Sequence, residues 1–115
     1  MRVRREVLGD PHVDRAIAQT TAFTAPFQDL ITRYAWGEVW SRPGLSRPER
    51  SMITLAVLAT LRQDEEIAMH VRAALRNGLS AEQITEVLLH VAVYAGVPAA
   101  NRAFAIAARV VQDAS

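Results

Sequence analysis

Cysteine and lysine are both absent from these 115 residues, so all 13 basic residues are arginine. Without thiols the chain has no disulfide framework and no thiolate redox chemistry. Without lysine it can form no Schiff base and no phosphate loop that relies on an ammonium group. Charge of one sign is also missing: 13 basic residues face 12 acidic ones, which gives neither a nucleic-acid footprint nor a basic membrane-surface patch. Arg62, Arg72 and His90 interrupt the hydrophobic stretches, so no run approaches the roughly 18–20 residues of a membrane span. The charged start Met1-Arg2-Val3-Arg4-Arg5-Glu6 is followed by no signal-peptide core, and a cytoplasmic setting is the expectation.

What is present is apolar surface, with half of the residues hydrophobic. In a single domain spanning 1–115, part of that surface is expected at a subunit interface, because a small fold has a large surface for its volume. A homo-oligomer is the expectation.

The punctuation is helical and strand signals are scarce. Gly9-Asp10-Pro11 opens a first segment, and Thr24-Ala25-Pro26 reads as a cap with an early-turn proline. The helix it starts is expected to end near Trp36-Gly37. Ser46-Arg47-Pro48-Glu49 matches a capping box and opens a helix over about 47–61 whose apolar content predicts burial all round. A break at 62–64 leads into a helix closed by Asn77-Gly78. Ser80-Ala81-Glu82-Gln83 is a second capping box, for a helix running to Ala95, and Val97-Pro98 starts the last helix. The fold class is all-α, a compact bundle of about six helices with short links between antiparallel neighbours.

Glu66 and His70 are four residues apart, so a helix places carboxylate and imidazole one turn apart on one face. That spacing fits a proton-handling pair near neutral pH, and equally an ordinary intrahelical pair on a solvated face. His90 sits in an apolar turn with Glu86 and Tyr94 on its face, as a site residue or a packed core or interface histidine. The stretch from Arg33 to Leu45 gathers both tryptophans with Tyr34, Arg33 and Arg42. Aromatic walls with arginine suit a small anionic ligand, and they also suit a loop covering a core or dimer contact. His70 and His90 belong to different helices and no HExxH or paired Glu-x-x-His motif occurs, so no metal is expected.

Together these segments resemble the carboxymuconolactone decarboxylase family. The resemblance is carried by Arg4-Arg5-Glu6-Val7-Leu8-Gly9-Asp10, by Ile31 to Gly37, by Trp40 to Leu45, by Glu65 to His70, and by Val93-Tyr94-Ala95-Gly96-Val97-Pro98-Ala99-Ala100-Asn101. Peroxidase relatives in the wider family carry a Cys-x-x-Cys pair before a histidine. If His70 matches that histidine, the thiol positions fall at Gln63 and Glu66, and an upstream glutamate falls near Ser51. The thiol-dependent activity is therefore excluded. Tyr34 departs from the histidine found in many decarboxylase members.

The resemblance implies an alkylhydroperoxidase-like helical subunit in a homo-oligomer, a hexamer or trimer. It also implies a cofactor-free decarboxylation of a small anionic lactone in protocatechuate breakdown, with no nucleic-acid or membrane partner. On that footing His70 and Glu66 are the expected catalytic residues. Arg33, Tyr34, Trp36, Arg42 and His90 are the expected substrate-binding residues. A related lactone lyase or isomerase, or a non-catalytic oligomeric module of the same fold, are the competing expectations.

Overall fold

In the computed structural model, which describes residues 1–114, seven α-helices and one π-helical segment account for all regular structure, and no strand occurs among the described residues. The helices are α1 Arg2–Leu8, α2 Asp10–Ala18, α3 Ala25–Ile31, α4 Arg47–Leu61, α5 Asp64–Arg76, α6 Ala81–Tyr94 and α7 Val97–Ala114. The π-helical segment, Thr32–Val39, continues directly from α3. The all-α expectation holds. Two compact units divide the chain, Met1–Arg47 and the part from Pro48 onward.

In the N-terminal unit, Val3 and Val7 of α1 form a small core with Trp36, and Ile31, Ala35 and Trp40 pack around it. These partners recur at intervals of four to five residues, wider than the 3.6-residue period of an α-helix. A π-helix, with its i to i+5 bonds, lines them up on one side. Trp40 accordingly donates its backbone N–H to the Ala35 carbonyl at 2.8 Å. The expected stop at Gly37 is overturned, because the segment runs through it. A Cβ on Gly37 would lie 3.2 Å from the Thr32 carbonyl oxygen, so glycine here relieves crowding inside the wide turn.

Two other local expectations change. Helix α1 occupies the charged start, where Val3 and Val7, one turn apart, are buried. Thr24 holds the position before α3 but makes no side-chain cap, since its hydroxyl accepts from the Thr21 backbone N–H at 2.9 Å.

The C-terminal unit has a core of Leu55 and Ala59 from α4, Ile67 and Val71 from α5, Ile84 and Leu88 from α6, and Ala103 and Ala107 from α7. Ser80 forms the expected capping box: its hydroxyl accepts from the Gln83 N–H at 3.1 Å, while its own N–H donates to Gln83 Oε1 at 2.9 Å. Helix α5 closes with Gly78 at φ 100°, followed by buried Leu79. The Gly78 and Leu79 amides donate to the Leu75 and Ala74 carbonyls at 3.2 and 3.0 Å, which is a Schellman termination. Helix α4 ends the same way with Arg62, a non-glycine residue, in the left-handed position at φ 57°.

Helix α4 is not buried all round. Ser51, Leu55 and Ala59 form its buried stripe, whereas Ile53, Val57 and Leu61 face solvent. Each row repeats every four residues and so follows its own face of the helix. No described helix is long and apolar enough to cross a membrane.

Candidate active site

Helix α5 begins with Asp64, Glu65 and Glu66, acids that complement the positive end of the helix dipole. Glu66 therefore has a local structural reason to be there as well as a chemical one. One turn on, the His70 side chain is only 11% exposed, against 54% for Glu66. His70 Nε2 lies 3.9 Å from Glu66 Oε2. That is ion-pair range but too long for the hydrogen bond expected from the spacing, so the two couple by charge when the imidazole is protonated. A shielded imidazole with a solvated carboxylate one turn away can deliver a proton and recover it from water.

The remaining expected residues distribute as follows. Trp36 is buried, its ring centroid 5.2 Å from that of Trp40 and the planes inclined at 35°. Its Nε1 is buried and has no acceptor. Tyr34 and Arg33 point outward from the π-helical segment, and Arg33 Nε donates to Asp29 Oδ2 at 3.0 Å. Arg42 is exposed in the turn that follows. These four belong to the N-terminal unit.

His90 belongs to the C-terminal unit with Glu66 and His70 but occupies a different surface. It is exposed on α6, its ring 4.8 Å from that of Tyr94. With Met52 and Ile53 of α4 and with Glu86 it lines an apolar groove of about 380 Å³, to which neither Glu66 nor His70 contributes. Among the described residues no group of three or more His, Cys, Asp or Glu side chains could hold a metal ion.

Two buried polar residues carry structure that spacing alone did not assign. Arg4 is 6% exposed, and donates from Nη1 to Thr32 Oγ1 at 3.3 Å and from Nη2 to Gln28 Oε1 at 3.2 Å. Burial lowers its pKa, and its Nε has no partner. The signal was its place between Val3 and Val7, which puts it beside the buried face of α1. Ser51, near which the resemblance would set the peroxidases' glutamate, is 2% exposed and accepts a hydrogen bond from the Asn77 side chain.

The profile of the carboxymuconolactone decarboxylase family matches residues 25–109. The chain belongs to that family. A 4-carboxymuconolactone decarboxylase from Acinetobacter baylyi is 47% identical to this family member over 113 residues, covering 98% of this chain and 84% of the relative. A nitrosuccinic acid decarboxylase from Metarhizium robertsii is 41% identical over 113 residues, covering 98% and 79% respectively. A 4-carboxymuconolactone decarboxylase from Pseudomonas putida is 53% identical over 38 residues, which is 33% of this chain and 79% of that sequence.

Proposed function

We propose that this chain is a carboxy-lyase that converts 4-carboxymuconolactone to β-ketoadipate enol-lactone and CO2, without a cofactor, in cytoplasmic protocatechuate breakdown. The observation that carries this reading is the 47% identity over 98% of the chain to a relative of that name.

The chemistry is within reach of these side chains. When the C–C bond to the carboxylate breaks, its electron pair moves through the ring alkene into the lactone carbonyl and leaves a dienolate. The substrate is its own electron sink. The protein must hold the acetate arm, stabilise the negative charge growing on the lactone oxygen, and return a proton to ring carbon. Only contacts that strengthen towards the transition state speed the step. In this reading His70 donates the proton and Glu66, within ion-pair range, supports its charge. Arg33 or Arg42 grips the acetate carboxylate, because an arginine clamped on the departing carboxylate would hold the ground state. Tyr34 or Trp36 walls off water, and His90, which lines a separate groove without Glu66 or His70, is left out of this pocket.

A homo-oligomer, hexamer or trimer, is part of the proposal. The support for it is the row Ile53, Val57 and Leu61 on α4, together with Leu89 and Val93 on α6, all of which face solvent in the single subunit.

A second reading has the same reaction type with a different acid. The relative named for nitrosuccinic acid favours it, since a carboxylate leaving from the carbon that bears a nitro group also leaves its electron pair in a ready acceptor. A substrate panel with CO2 detection separates the two. Turnover of 4-carboxymuconolactone is expected, and turnover of nitrosuccinate alone would replace the first reading by the second. Well-folded oligomer that turns over neither substrate would reject both. His70→Gln is expected to lower the rate by about 10²–10⁴-fold. Near-normal turnover in that variant, with the assembly intact, would remove His70 from the mechanism.

A further inference from the structure

A groove of about 740 Å³ runs between α5 and α7 in the C-terminal unit, and neither Glu66 nor His70 lies in its wall. The short links on either side of α6 reverse the chain twice, so α5 and α7 run the same way. The hydrogen bond from Arg102 Nε, in the second turn of α7, to Asp64 Oδ2, at the start of α5, agrees with this at 2.7 Å. Ala68, Ala105 and Ile106 give the groove an apolar floor.

The walls are cationic and largely unspent. Arg72 and Arg109 both line the groove, and neither has a hydrogen bond or ion pair among the described residues. Among the described residues Asp113 is the one carboxylate in the wall, and it has no partner there. Two free guanidinium groups against one carboxylate leave an excess of positive charge beside an apolar surface. At the other end Arg102 is committed to Asp64 through Nε and Nη2, which leaves Nη1 free, and the Asn101 amide beside it has no partner. Arg102 and Arg109 are seven residues apart, about 10 Å along the helix axis. The groove thus offers donors at both ends and apolar contact between them. A volume of this size suits a small organic ligand.

We propose that the α5–α7 groove is a second ligand site, distinct from the Glu66–His70 face, and that it binds a ring-bearing dicarboxylate. One carboxylate sits between Arg72 and Arg109, the ring lies on Ala68, Ala105 and Ile106, and the other carboxylate meets Asn101 and Arg102 Nη1. Guanidinium groups are suited to this because their paired N–H donors match a carboxylate.

The test is calorimetric titration of the intact protein with terephthalate, with benzoate as the one-carboxylate comparison. Saturable binding at one site per subunit is expected, tighter for terephthalate and weaker at high salt. The Ala68 and Ala105 methyl resonances are expected to shift on binding. Arg72→Gln/Arg109→Gln is expected to weaken binding by tenfold or more while turnover of 4-carboxymuconolactone is retained. Both side chains are exposed, which spares the fold, and Arg15→Gln on α2 is the control. The absence of saturable binding, or binding untouched by the double substitution, would overturn the site. Loss of turnover together with binding, in protein of unchanged circular dichroism, would overturn its separateness and make the groove the reaction pocket. The binding measurement stands whatever the enzyme's substrate proves to be.

Discussion

The side-chain amide of Asn77, at the end of α5, donates to Ser51 Oγ in the second turn of α4 at 3.1 Å. Ser51 is almost fully buried, so this bond provides a polar anchor between two helices whose buried side chains are mostly apolar. A buried hydroxyl stripped of its partner carries its full desolvation penalty, about 1–3 kcal/mol. Asn77→Ala is therefore expected to lower unfolding stability by about that amount in urea titrations. Adding Ser51→Ala removes the stranded hydroxyl, and the double variant is expected to be less destabilised than the two single losses summed. Additive losses would show that the bond contributes nothing.

Arg102 holds the Asp64 carboxyl below the ordinary aspartate range, chiefly through hydrogen bonding. The folded-state value is depressed, so the unfolded chain binds this proton first as the solution is acidified. The stabilisation is present above the unfolded value of about 3.9 and is lost as pH falls through the folded one. In thermal melts Asp64→Asn is expected to sit below the parent at pH 7 and to converge on it towards pH 2–3. A constant gap across that range would exclude the linkage.

Arg62 ends α4 at φ 57°, where a side chain is disfavoured and glycine is not. Arg62→Gly relieves that strain but adds freedom to the unfolded chain. The balance is expected to stabilise the protein by up to about 1 kcal/mol, read as a higher denaturation midpoint at unchanged slope.

Val57 is the middle residue of the solvent-facing row on α4 and is 49% exposed in the subunit. A carboxylate there changes little in an isolated subunit but is costly once buried against a second copy. Val57→Glu is expected to shift sedimentation equilibrium towards smaller species while helix content is kept. Unchanged mass would place the subunit contacts elsewhere.

The C-terminal unit was legible because its punctuation is local. The serine before α6, Gly78 and Gly96 each mark a boundary, and the helices between them fall within a residue or two of where capping and glycine signals place them. Helix α1 was hidden because Val3, Val7 and Leu8 are its only apolar residues, set among charged neighbours, and its burial comes from contact with Trp36 about thirty residues away. The face of α4 that stays open was hidden too, since a helix nearly all apolar after Ser51 carries little periodicity to say which side is covered. For the candidate site, the four-residue step fixed the nearness of Glu66 and His70. Their 3.9 Å separation and unequal exposure depend on side-chain conformation and packing, which spacing does not encode.

The π-helical segment lets residues 32–39 carry one residue more between the same contacts than an ordinary helix would. From Ala35 to Trp40 is a five-residue step, and the wide turn keeps both on the side that meets the valines of α1. Closed as an ordinary helix at the same length, the stretch would turn Trp40 by about 100° from the bearing that a four-residue step gives. Trp40 would then swing away from Trp36, and the small N-terminal core would lose its second aromatic ring. A chain shorter by one residue here could reach the same contacts with ordinary helical turns.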